Sequence, residues 1–137
     1  MRQILARSLS VGIIGGTILV ILAHLGLAQK LGAHPWWAVK VVYLGVGFGL
    51  ILSVLGSLIP IFTRRIVPPL FVLAVASILL TVYGKTQFAA SYAEDALAGR
   101  MCYFGWICSV CFGLAFGVRA IIQRALMPTF DRTFYEF

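Results

Sequence analysis

Four long apolar stretches divide the chain, at about residues 8–28, 38–62, 66–85 and 101–122, and the short segments between them carry most of the basic and polar residues. An apolar run of about 18 or more residues is long enough to cross the hydrocarbon core of a bilayer as a helix rising 1.5 Å per residue. The pattern predicts an all-α integral membrane protein, a single domain over residues 1–137 with four transmembrane helices and a tail over 123–137.

Local signals refine each stretch. Arg2 and Arg7 precede the first, which ends on the small residues Gly26-Leu27-Ala28 and so resembles a signal peptide. Its apolar length exceeds a usual signal core, and an uncleaved helix is expected. A polar connection over Gln29–Pro35 leads through Trp36 and Trp37 into the second stretch. Lys40 lies one turn inside it, where its stem can stay apolar while the ammonium lifts to the head groups. Pro60 is placed to bend its last turn, and Pro68-Pro69 suit the first turn of the third helix because a missing N–H costs nothing there. The segment 85–100 is the least hydrophobic. As a helix it would align Phe88, Tyr92 and Ala96, which suits a short helix lying in the interface; a solvated loop is the alternative.

The positions of the basic residues set the orientation. Arg2, Arg7, Arg64, Arg65, Arg119, Arg124 and Arg132 fall on one side, against Lys30, Lys40, Lys85 and Arg100 on the other. Short loops obey the positive-inside rule, so both termini are expected in the cytoplasm, or the equivalent compartment of an organelle. Composition agrees with the class: 61% of residues are hydrophobic and 11% charged, far below the soluble average of about 25% charged. The net charge of +7 sits in loops, where it meets lipid head groups, and no basic cluster interleaved with aromatics points to nucleic acid.

Small residues recur every fourth position on three of the stretches: Ser8, Gly12, Gly16; then Gly45, Gly49, Ser53, Ser57; then Gly105, Ser109, Gly113, Gly117. Such ridges let helix backbones approach closely in lipid, within one chain or between chains. Trp36, Trp37, Trp106, Tyr43, Tyr83, Tyr92 and Tyr103 all map to the half away from the arginine-rich side. They read as an anchoring belt or as the wall of a pocket. His24 is a candidate haem ligand or proton relay, set against a plain hydrogen bond near the membrane surface. Glu94 and Asp95 are expected to pair with Arg100 or to cap the fourth helix. Cys108 and Cys111 form a Cys-x-x-Cys spacing, but inside an apolar helix small thiols read as packing residues.

No span carries an acid at mid-membrane, and no phosphate loop, HExxH helix or Gly-x-Ser-x-Gly elbow is present. The leading expectation is a non-catalytic accessory subunit of a larger membrane complex of the electron-transfer, light-harvesting or oxidising kind, in a bacterial inner membrane or organelle equivalent. Its partner contacts would come from Trp36, Trp37, Phe88, Tyr92, Glu94, Asp95 and Arg100 on one face, and from the aromatic tail residues Phe130, Phe134, Tyr135 and Phe137 on the other. Two alternatives stand beside it: a homo-oligomeric transporter or channel with Lys40 or His24 on the path, and a cofactor-binding membrane enzyme built on the aromatic pocket.

Overall fold

The computed structural model describes residues 2–58 and 65–126. Pro60, Arg64, Arg132 and the tail residues Phe130, Phe134, Tyr135 and Phe137 lie outside the described residues. Within them the chain is helical: α1 (Arg2–His24), α2 (Leu27–Lys30), α3 (Ala38–Leu58), α4 (Val67–Ala90) and α5 (Ala96–Leu126). Among the described residues four helices are long and apolar enough to cross a membrane, namely all but α2.

The helices overrun the apolar stretches that predict them. α1 starts at Arg2 rather than Ser8, α4 continues to Ala90, and α5 begins at Ala96 rather than Met101. Hydropathy marks where the bilayer ends; the helix ends only where its backbone is interrupted. α1 stops where Gly26 turns left-handed at φ +82°, a conformation that costs glycine nothing. The short α2 then fills part of the expected polar connection.

The segment expected as an interfacial helix is divided instead. Phe88 belongs to α4, Ala96 opens α5, and between them Tyr92 and Ala93 take left-handed φ values of 54° and 67°, which no right-handed helix contains. The three residues therefore do not form one helical stripe. Asp95 Oδ1 accepts hydrogen bonds from the amides of Leu97 at 2.9 Å and Ala98 at 3.1 Å, capping the start of α5, while the Asp95 amide donates to Ser91 Oγ at 3.0 Å. Asp95→Ala is expected to cost about 1 kcal/mol, read as faster hydrogen exchange in the first turn of α5.

Packing follows the small residues. α3 and α5 run parallel, and α1 and α4 run antiparallel to them; α1, α3 and α5 pack mutually, whereas α4 packs on α5 alone among the described helices. A Cβ on Gly45 would stand 2.5 Å from Val110 Cβ and 2.9 Å from the Ile107 carbonyl, so α3 and α5 meet at backbone range. On the other side of α5, a Cβ on Gly84 would lie 2.6 Å from the Cys102 amide nitrogen, and one on Gly105 would collide with Thr81. Gly12 and Gly16 of α1 are filled instead by the side chains of Leu50 and Val46 of α3. Val41, Val42, Val46, Ile107, Leu114, Val118 and Ile122 form the buried apolar centre.

Hydroxyls inside the bundle turn back on their own helices. Ser53, Ser77, Thr81 and Ser109 each donate to a carbonyl four residues earlier, at 2.7 to 2.8 Å. This satisfies them where hydrocarbon offers no acceptor. Ser57 also crosses between helices, its Oγ lying 2.7 Å from Ser8 Oγ. Ser8→Ala is expected to weaken the α1–α3 contact by about 0.6 kcal/mol, the average for such bonds in membranes, and thermal unfolding in detergent would measure it.

Candidate helix-docking groove and aromatic end

α1 and α4 stand on either side of α5 without touching each other, and the space between them is a groove of about 680 Å³. Val11, Gly15 and Ile18 of α1 form one wall, and Ile78, Thr81 and Val82 of α4 the other. The floor is α5 from Trp106 to Ile121, with Ser109, Gly113 and Gly117 along it, a length of about 22 Å at helical rise.

The floor separates two kinds of ridge glycine. Gly12, Gly16, Gly45, Gly49 and Gly105 each have atoms of a neighbouring helix where a Cβ would go. An added Cβ on Gly113 or Gly117 would meet nothing within 4 Å among the described residues. Half of the α5 ridge therefore holds α4, through Gly105, and the other half opens into the groove. The two hydroxyls in the lining, Thr81 and Ser109, donate to their own backbones, so the groove presents shape and apolar surface. At one end of the bundle the Lys85 side chain of α4 crosses to the loop after α2 and rests on Gly32. A side chain at Gly32 would collide with it, and the residue's φ of +103° is itself suited to glycine.

That end is also where the aromatic residues gather. His24 Nε2 and the Tyr43 hydroxyl are 3.2 Å apart, joining α1 to α3. Trp37 stacks on His34 with ring centres 6.4 Å apart and meets Tyr103 edge-on at 5.4 Å; Tyr103 meets Phe104 at 5.6 Å. His34 Nδ1 accepts from the Trp36 amide at 3.2 Å.

No protein-family model, curated protein or solved structure matches this chain.

The aromatic end gathers some of the residues expected to bind partners and leaves others apart. Trp37 is half-buried in the ring cluster, whereas Trp36 and Tyr92 are 84% and 94% exposed. Phe88 is half-buried, with its ring 3.2 Å from where a Cβ of Gly99 would stand. Glu94 and Arg100 are exposed, and among the described residues no ion pair joins either acid to Arg100. Asp95 is committed to the α5 cap. His24 is exposed, and no group of three metal-binding side chains occurs among the described residues. Cys102, Cys108 and Cys111 are free thiols, Cys102 and Cys111 buried and Cys108 half-buried.

Arg119, which the sequence places inside the fourth apolar stretch and counts with the cations of the arginine-rich side, is buried in the structure rather than turned outward. It is 3% exposed, inside α5, with its Nη2 2.8 Å from where a Cβ of Gly56 would stand on α3. Among the described residues that nitrogen has no hydrogen-bond partner. The signal was available: Gly117-Val118 precede Arg119 and Ala120-Ile121-Ile122 follow it, so the charge stands within the apolar pattern rather than after it.

Proposed function

We propose that this protein is a non-catalytic accessory subunit of a larger membrane complex, and that its groove seats a transmembrane helix of a partner subunit. The observation that carries this is the open floor of the groove. A lipid tail gains as much from contact with leucine as from contact with glycine, whereas a helix backbone gains from glycine because side chains are absent there. Gly113 and Gly117, one turn apart and free of contact, give α5 a surface of the same kind as the filled glycines that hold α1, α3 and α4 in place. The exposed Trp36 and Tyr92 would add anchors at the aromatic end. The excess of arginine at the opposite end supports an orientation with both termini in the cytoplasm, or the equivalent compartment of an organelle.

The test is purification of the native protein in mild detergent with mass and absorption spectrum recorded. A larger membrane protein present in fixed stoichiometry is the expected result. A homo-oligomer of this chain alone would overturn the proposal in favour of a channel or transporter. A visible absorption band lost on changing His24 would do so in favour of a cofactor-binding enzyme.

A further inference from the structure

The groove between α1 and α4 is apolar along its floor, yet a cation stands at one end of it. Lys85 follows Val82, Thr81 and Ile78 of the groove wall by three, four and seven residues, so it continues the same face of α4. Its side chain reaches Gly32, the neighbour of Leu31, which lines the groove from the opposite side. Neither α1 nor α2 packs on α4, so this one side chain spans a gap between the walls.

Helix direction distinguishes Lys85 from an ordinary boundary lysine. Cα–Cβ bonds tilt toward the N-terminus of their helix. Lys40 stands at the start of α3, where that tilt carries its ammonium outward; Lys85 stands near the end of α4, where the tilt is back toward the apolar interior. No carboxylate answers it among the described residues. Asp95 Oδ1 holds the first turn of α5, and no ion pair joins Glu94 or Asp95 to Lys85. Asp131 and Glu136 lie outside the described residues. A helix laid along the groove would cover Lys85, and covering an ammonium without a counter-charge is costly. An occupant that fits must therefore bring an anion to this end.

On the reading that the groove seats a transmembrane helix of a partner subunit, we propose that this helix carries an Asp or Glu where it leaves the membrane at the aromatic end, and that Lys85 pairs with that carboxylate. The pair would set the register. An apolar floor with glycine one turn apart tolerates a helix slid along it, whereas a single charge pair at one end fixes how far the helix enters.

Carbodiimide treatment of native membranes tests this, because it joins an amine to a carboxylate in contact with no spacer between them. The peptide containing Lys85 is expected to be linked to an Asp or Glu of another protein, at the edge of an apolar run of about 18 residues or more. Lys85→Met should weaken retention of that protein about tenfold or more, as expected from losing a charge-assisted bond, and Lys85→Glu should weaken it further. Lys85→Arg should restore retention without the link, with unfolding curves recorded for all three. A link from Lys85 only to acids of this chain, Asp131 and Glu136 included, would overturn the proposal. So would the absence of any link from Lys85 while the partner copurifies, which would leave the ammonium to lipid phosphate. Should the variants fail to fold, the wild-type link still decides. Release of the partner by Gly113→Leu with Gly117→Leu, but not by Lys85→Glu, would refute the acid and keep the groove; retention by the glycine double variant would refute the groove itself.

Discussion

Leucine in place of Gly84 is expected to lift α4 from α5, at a cost of about 3 kcal/mol or more. The neighbours of Gly84 make the effect large. A Cβ there would stand 2.6 Å from the Cys102 amide nitrogen and 2.8 Å from the Ala98 carbonyl oxygen, so backbone rather than a yielding side chain is in the way. Little compensates among the described residues, because α5 is the one described helix on which α4 packs and its other reach is the Lys85 side chain resting on Gly32. Hydrogen exchange in detergent micelles should show protection lost along α4 and kept in α1 and α3, the signature of one element opening apart from the rest. Gly47→Leu is the control, since an added Cβ at Gly47 meets nothing within 4 Å among the described residues. Equal loss of stability in both variants would mean that leucine acts through α-helix or detergent effects rather than through the interlock at Gly84.

The helical class and the four helices long and apolar enough to cross a membrane were legible because each needs a long apolar run. Helix ends were less so, since Lys85, Thr86 and Gln87 are polar yet continue α4 to Ala90. The recurrence of glycine at every fourth residue was visible, but which glycines face a neighbour depends on where the other helices stand. Gly105 and Gly113 belong to one ridge, and only the arrangement of α1 and α4 around α5 separates a filled position from an open one. Arg119 stands visibly within the apolar pattern, but the direction of its side chain was not legible for a related reason. Counting charges by loop assigns a side of the membrane, but it does not say whether a side chain near the boundary turns out to the head groups or in against Gly56.

The open half of the ridge leads to the opposite expectation from Gly84. In a Gly113→Leu, Gly117→Leu double variant the isolated chain should keep its stability to within about 0.5 kcal/mol, because the added side chains enter the groove and meet no atom of the described residues within 4 Å of their Cβ positions. Assembly should fail nonetheless. Two leucines one turn apart would fill the floor along which a partner helix must approach, and overpacking of about 2 kcal/mol corresponds to roughly a thirtyfold weaker complex. Pull-down from solubilised native membranes, with the variant's unfolding curve measured in parallel, separates folding from docking. A stable variant that no longer retains its partner is the result expected of a helix-docking groove. A stable variant that retains it at full stoichiometry would exclude the groove as the docking surface and move the contact to the exposed Trp36 and Tyr92, where Trp36→Ala with Tyr92→Ala would then have to release the partner for the subunit reading to stand.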